Sequence, residues 1–328
     1  MAKKYQITRT EKLFDKFHVG QKAHQVFLPY INVHLNDLSD PTKPVGVFLL
    51  TGPTGSGKTL AAQLLAEGLH GSRDRMIRID CGEYTQSQEV ARLIGAPPGY
   101  LGHRETRPVL AADKIRAATS EECNITIVLL DEIEKSHHQF HEILLGVLST
   151  GKITLGDGSV ADLSKCVFFM TSNLGAKELS DALDTPYGLT PLGAGSEGKS
   201  VESICSGAIK RKFSPEFMGR IDEIIHFSRL KKEHMAAIVD IEIDAIRERL
   251  CSVNGSILQV NQDVKDKLIR DGFTPVYGAR GLSRAIKKTI LTGLADIIED
   301  SPEHPLIVVS MDGDEIKIGA VKSKWSLR

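Results

Sequence analysis

Short apolar runs alternate with amphipathic stretches through the first two thirds of the chain. Val45-Gly46-Val47-Phe48-Leu49-Leu50, Met76-Ile77-Arg78-Ile79-Asp80, Ile125-Thr126-Ile127-Val128-Leu129-Leu130 and Val167-Phe168-Phe169-Met170 read as strands, with Ile224-Ile225-His226-Phe227 as a last short one. The run at 125–130 is almost wholly apolar, as a parallel strand covered on both faces should be. Between the runs the spacing predicts helices over 58–70, 87–94, 108–119 and 138–149. Residues 11–38 also have helical character and end in the breaker cluster Asp40-Pro41-Thr42-Lys43-Pro44. The polar stretch 151–164 resembles a hairpin, and the Gly, Pro, Ser and Thr content of 184–200 predicts a mobile loop. Such alternation implies an α/β fold, a parallel sheet wrapped by helices.

After Ser228 the texture changes. An amphipathic helix is predicted over 232–251, a short strand over 257–260, and helices over 262–271 and 279–299. Leu306–Ser310 and Glu315–Ile318 flank Asp312-Gly313-Asp314, a hairpin signal. A boundary near 228 therefore separates a large domain, 1–228, from a small α+β domain, 229–328.

Composition narrows the classes. The chain has 328 residues, 41% hydrophobic and 25% charged, with a formal net charge of -1. That balance argues against a nucleic-acid binder, which usually carries a basic excess. No apolar run has the length of a membrane span, and the polar start Met1-Ala2-Lys3-Lys4 lacks a signal-peptide core. The five cysteines are scattered and form no C-x-x-C pair, so free thiols and a cytoplasmic location are expected.

The candidate chemistry starts directly after the first strand. Gly52-Pro53-Thr54-Gly55-Ser56-Gly57-Lys58-Thr59 matches G-x-x-x-x-G-K-[ST], between a strand and a helix. Glycines let backbone N–H groups turn toward phosphate oxygens, and the opening helix adds its positive end. Lys58 can reach the β- and γ-phosphates, and the Thr59 hydroxyl can ligate Mg2+. The run at 125–130 ends in Asp131-Glu132. Any buried strand can end in acids, but beside a phosphate loop this is where magnesium is held. Asp131 would support the metal, and Glu132 would polarise the attacking water. Asn173 follows the 167–170 strand and can position a water without adding charge; a turn-forming Asn is the alternative.

Together these residues resemble the second ATPase module of the Clp family of AAA+ protein unfoldases, of the ClpB, ClpA and ClpC kind. The resemblance covers about residues 11–320. It rests also on His18-Val19-Gly20-Gln21, on the stretch from Ala91 to Gly102, and on Leu130–Lys135. Thr171–Gly175, Phe213–Asp222 and Tyr277–Leu282 complete it. The resemblance implies an AAA+ P-loop NTPase domain followed by a smaller lid domain, with ATP and Mg2+ as cofactors. Val19 and Gly20 would lie on the adenine side. Arg220 would be an arginine finger offered to a neighbouring subunit, and Arg280 a second sensor in the small domain. Tyr100 and Leu101 would form the pore loop that grips polypeptide, with 151–158 as a second pore loop.

The implied function is an ATP-driven motor that threads unfolded or aggregated protein through the pore of a homo-hexamer. A nucleotide-switched assembly factor and a nucleic-acid motor or loader are the alternatives. Tyr187-Gly188-Leu189 lies where peptidase-coupled members carry a docking tripeptide, which raises a ClpP-type peptidase as a partner. The sequence departs from the family at His103–Pro108, where an acidic, glycine-rich stretch is expected. His137 and His141 stand at i and i+4 and could share a metal, but without a third ligand a solvated helical face is the expectation. Lys210-Arg211-Lys212 likewise reads as a solvated helix end.

Overall fold

In the computed structural model, residues 2–17, 23–95, 108–175, 201–228, 230, 232–274, 278–300 and 306–321 are described. The chain divides into two compact units: residues 1–53 with 57–228, and residues 54–56 with 229–328.

The first unit is built on a five-stranded parallel sheet. Its strands are β1 (Gly46–Thr51), β2 (Ile77–Asp80), β3 (Thr126–Asp131), β6 (Cys166–Ser172) and β7 (Glu223–His226), in the order β2-β3-β6-β1-β7. β1 and β6 are buried at every position, which is why their sequences are continuous apolar runs. The period-2 alternation of strands sorts these side chains to two faces. Phe48, Leu50, Ile127, Leu129, Val167 and Phe169 pack with α2 (Ala23–Leu35) and α3 (Lys58–His70). Val47, Leu49, Val128, Leu130, Phe168 and Met170 pack on the other side, with α4 (Ser87–Ile94) and α6 (His138–Thr150). α1 (Ala2–Phe17) adds Phe14 to the first face. The result is a helix–sheet–helix sandwich whose strand carboxyl ends share one edge.

The remaining elements of this unit depart in part from the sequence pattern. The helix expected over 108–119 is only α5, Ala112–Ala117. Leu110, fully buried, anchors the chain before it, and a Ser120–Cys123 bridge turns the chain after it. β4 (Lys152–Thr154) and β5 (Val160–Asp162) form the small antiparallel hairpin expected in 151–164. A helix that the pattern did not mark, α7, spans Val201–Lys212. Among its described side chains only Ala208 and Ile209 are buried, too few to give a helical stripe. The expected loop at 184–200 lies outside the described residues.

The second unit has its own core. α9 (Lys232–Asn254) buries Met235, Val239, Ile243, Ile246 and Leu250, a stripe at helical spacing. α10 (Gln262–Gly272), α11 (Ala279–Ile286) and α12 (Thr292–Asp300) follow. The last two were expected as one helix, but a π-helical turn at Lys287–Leu291 separates them. β8 (Ile257–Val260), β9 (Leu306–Asp312) and β10 (Glu315–Val321) form a three-stranded sheet, with β9 in the middle. Gly313, at φ +61°, and Asp314 make the β9–β10 turn.

The centre of the first unit is an aromatic trio. Phe169 packs edge-on to Phe27, with ring centroids 5.2 Å apart, and stacks on Phe48 at 5.4 Å. All three are fully buried. Phe169→Ala should leave a cavity here and lower the stability of this unit by about 3–5 kcal/mol. Chemical denaturation of both proteins measures it; a loss below about 1 kcal/mol would show that the trio is not the core.

Candidate nucleotide site

The loop between β1 and α3 is shaped by its glycines. Gly52 sits at φ +138°, and a Cβ there would lie 2.2 Å from the Phe227 carbonyl oxygen. No other residue type fits without moving the backbone of the chain after β7. Gly57, at φ +97°, opens α3 with no side-chain cap and no acidic residue in the first turn. The positive end of a 13-residue helix is thus left facing the loop.

Lys58 is the first helical residue and is only 7% exposed. Its Nζ donates to the carbonyl oxygens of Gly52 (2.7 Å) and Pro53 (2.9 Å) and to Oδ1 of Asn173 (3.0 Å). The Asn173 amide carries the connection onward, its Nδ2 donating to Oε1 of Glu132 at 3.1 Å. The other Glu132 oxygen meets Lys135 Nζ at 2.5 Å, and that bond raises the Lys135 pKa. Glu132 itself has left-handed backbone geometry, φ 56°, as the chain leaves β3 for a short 3-10 turn over Ile133–Lys135. A non-glycine residue there costs on the order of 1 kcal/mol, a strain typical of functional sites. Its N–H is held by the Thr171 hydroxyl at 3.0 Å.

Asp131 is held from three sides. Its Oδ1 accepts from Thr171 Oγ1 (2.6 Å) and Thr59 Oγ1 (3.4 Å), and its Oδ2 pairs with Arg78 Nη2 (2.7 Å). Glu134 Oε1 accepts from the Asn173 backbone N–H at 2.9 Å, pinning the turn after β6. Cys81 lies among these acids. Burial, then Asp131, Asp80, Glu134 and Glu132, push its thiol pKa up, so it is an inert thiol.

Lys58, Thr59, Asp131, Glu132 and Asn173 thus come together in one hydrogen-bonded cluster, although they arise from three separate segments. These residues fit a nucleotide with a divalent cation. The Ser56 hydroxyl is buried in the loop with no hydrogen-bond partner, and the space beside Gly52 is closed to any side chain. Thr54 and Gly55 complete the loop, with Gly55 at φ +76°. Sequence reasoning missed Thr171, Glu134, Arg78 and Lys135. For Arg78 the signal was present: the alternation of β2 puts Arg78 and Asp80 on its exposed face.

Other expected site residues stand elsewhere. Arg220 is exposed just after α8 (Pro215–Met218) and lines a surface depression with Leu145, Gly146, Ser149, Glu216 and Gly219. Its segment is pinned to β1, because Asp222 Oδ2 accepts from Val47 N at 2.8 Å and Asp222 N donates to Val47 O at 2.9 Å. Arg280 is exposed in the first turn of α11, in the second unit. Val19, Gly20, Tyr100, Leu101 and the tripeptide at 187–189 lie outside the described residues. The 151–158 stretch holds β4 and the turn toward β5, and Gly156 N donates to Ile94 O at 2.7 Å, at the end of α4.

The histidine expectation needs correction. His141 is not on a solvated face. Its ring packs against Phe213 and Phe217, and its Nε2 lies 2.9 Å from Ser136 Oγ and 3.2 Å from Ile133 O. Burial lowers its pKa. The α7–α8 segment brings those phenylalanines, a contact that local spacing could not reveal. His137 instead caps α6 by accepting from Gln139 N. Among the described residues no group of three or more His, Cys, Asp or Glu side chains could hold a metal ion, so a cation here would depend on Thr59 and Asp131 together with its nucleotide. No described helix is long and apolar enough to cross a membrane.

Comparison with known proteins agrees with this geometry. The chain is similar to ClpC of Staphylococcus aureus (strain USA300), described as an ATP-dependent Clp protease ATP-binding subunit, at 39% identity over 322 residues. That similarity covers 94% of this chain and 38% of ClpC. ClpC of Staphylococcus epidermidis is 38% identical over 282 residues, covering 85% of this chain and 33% of the relative. The chain therefore spans well under half the length of these relatives. A cryo-EM reconstruction of closed-state Hsp104 with ATPγS and FITC casein superimposes with a TM-score of 0.79 at 29% identity, covering 96% of this chain and 52% of Hsp104. The family model for the C-terminal, D2-small domain of ClpB protein matches residues 230–304. Residues 43–224, which hold the whole Lys58–Asn173–Glu132 cluster, match the model of the AAA domain (Cdc48 subfamily), and the chain belongs to that family, with a Clp-type small domain behind it.

Proposed function

We propose that this chain hydrolyses ATP with Mg2+ and uses the cycle to unfold or disaggregate protein, acting in the cytoplasm as one subunit of a homo-hexamer that threads polypeptide through its pore. The observation that carries the reading is the cluster in which buried Lys58, Asn173 and Glu132 form one continuous chain of hydrogen bonds beside Asp131 and Thr59. Bound Mg2+·ATP would supply the electrophilic phosphorus and the metal charge. Lys58 and the loop from Gly52 to Gly57 would bind the phosphates, and Thr59 and Asp131 the metal. Glu132 would polarise the attacking water, oriented by Asn173. Arg220, exposed on the first unit, would serve a neighbouring subunit, and Arg280 would act from the small domain.

A polypeptide substrate is supported by the Hsp104 likeness, since that protein was captured with FITC casein. Tyr100 and Leu101 would grip it. The ClpC relatives are subunits of a Clp protease, which supports a ClpP-type peptidase as a partner, with Leu189 in the docking tripeptide.

Two outcomes test this. Glu132→Gln should retain ATP affinity within about threefold while turnover falls at least about 100-fold, because an amide cannot take the proton. Equal turnover in the variant would remove Glu132 from the reaction. Mixing Arg220→Ala with Lys58→Ala protein should recover part of the ATPase activity each lacks alone, since some interfaces regain one intact loop and one intact arginine. An arginine finger is worth about a thousandfold or more, so even partial recovery is measurable. Mixtures no more active than their components would place Arg220 outside the reaction.

A further inference from the structure

Four carboxylates, Asp80, Asp131, Glu132 and Glu134, gather where β2 and β3 end, around Cys81. Asp80 stands directly across the parallel ladder from Asp131. Like charges in register repel. Asp80 is drawn aside: its Oδ1 accepts from Gly82 N at 2.9 Å. Asp131 is answered by Arg78, two residues earlier on the same face of β2, with Nη2 2.7 Å from Oδ2. The two threonines take the other oxygen, Oδ1. Arg78 therefore fixes which oxygen of Asp131 faces Thr59.

Asp131 is the sheltered partner of this ion pair, with a side chain 15% exposed, and Arg78 the open one, 54% exposed on the edge strand β2, so solvent screens the arginine's end of the pair. Its charge, in contrast, sits against the carboxylate that a divalent cation would need. A cation so placed weakens the binding of another cation and keeps the metal exchangeable.

We propose that Arg78 is a positioning residue for the metal-holding carboxylate: it orients Asp131 and, by its charge, limits the affinity of the site for a divalent cation. This rests on the reading of Thr59 and Asp131 as the metal residues. The test uses the full chain with saturating ADP and Mn2+ as the probe, free Mn2+ being followed by electron paramagnetic resonance. Arg78→Ala should bind Mn2+ about three- to tenfold tighter than wild type at low salt, and the gain should shrink at high salt. Arg78→Gln, which keeps a hydrogen-bond donor without the charge, should follow Ala. Arg78→Lys should stay within about twofold of wild type. Equal or weaker Mn2+ binding by both neutral variants overturns the inference, as does Arg78→Lys behaving like Ala. Asp131→Asn separates the two readings. If it leaves wild-type Mn2+ uptake unchanged, the metal assignment falls and this inference with it; if it abolishes uptake while the Arg78 variants match wild type, only this inference falls.

Discussion

An ammonium group held almost out of water sets the terms for the rest of the site. Lys58 is 7% exposed, and removing such a charge from water costs several kcal/mol unless oxygens surround it. Two of those oxygens are carbonyls of its own loop, Gly52 and Pro53, and they can face the lysine only if the loop curls back on itself. The glycine at 52 is the residue that permits this, since the Phe227 backbone occupies the place a Cβ would take. The third oxygen belongs to Asn173 at the end of β6, and the strand order puts β6 between β1 and β3. The same sheet topology that buries the lysine therefore brings it within one amide of Glu132.

A neutral amide suits that central position. Asn173 accepts from a cation on one side and donates to an anion on the other, so it links the two charges without adding to either. Its backbone N–H is held by Glu134, two positions after Glu132, and the Glu132 N–H by Thr171, two positions before Asn173, so the two strand ends fix each other. Thr171 serves twice: its hydroxyl accepts from Glu132 N and donates to Asp131. The two acids are adjacent in sequence, but their side chains have different partners, Thr59, Thr171 and Arg78 for Asp131, Asn173 and Lys135 for Glu132.

The strands and the phosphate loop were legible because burial on both faces leaves no choice of residue, and because a tight left-handed loop demands glycine. β1, β3 and β6 are apolar for that reason, and Gly52 and Gly57 for the other. What the sequence concealed depends on register between distant segments. Thr171 meets Asp131 across 40 positions and no local spacing marks the pair; the alternation of β2 puts Arg78 on an exposed face but does not single out Asp131, 53 positions away, as its partner. His141 misled in the same way, its solvated appearance undone by Phe213 and Phe217 arriving from a later helix. The helix at 201–212 was hidden by a weak pattern, and the π-helical turn at Lys287–Leu291 left no trace in an otherwise continuous helical period.

The cations inside the cluster are already engaged. Lys58 is bonded to three oxygens, Arg78 to Asp131 and Lys135 to Glu132. A transferring phosphoryl group spreads negative charge over its oxygens and is stabilised mainly by positioned cations, so on the proposed reading a cation from outside this cluster would add to what Lys58 and the metal supply. Arg220 presents its side chain outward from the first unit, on a segment that Asp222 ties to β1. A group fixed to the central sheet but facing solvent is rigid enough to act and free to act on something else. On the proposed reading the chemistry would be complete only where a second copy brings its own site to that arginine, and the ring rather than the single chain would be the working unit.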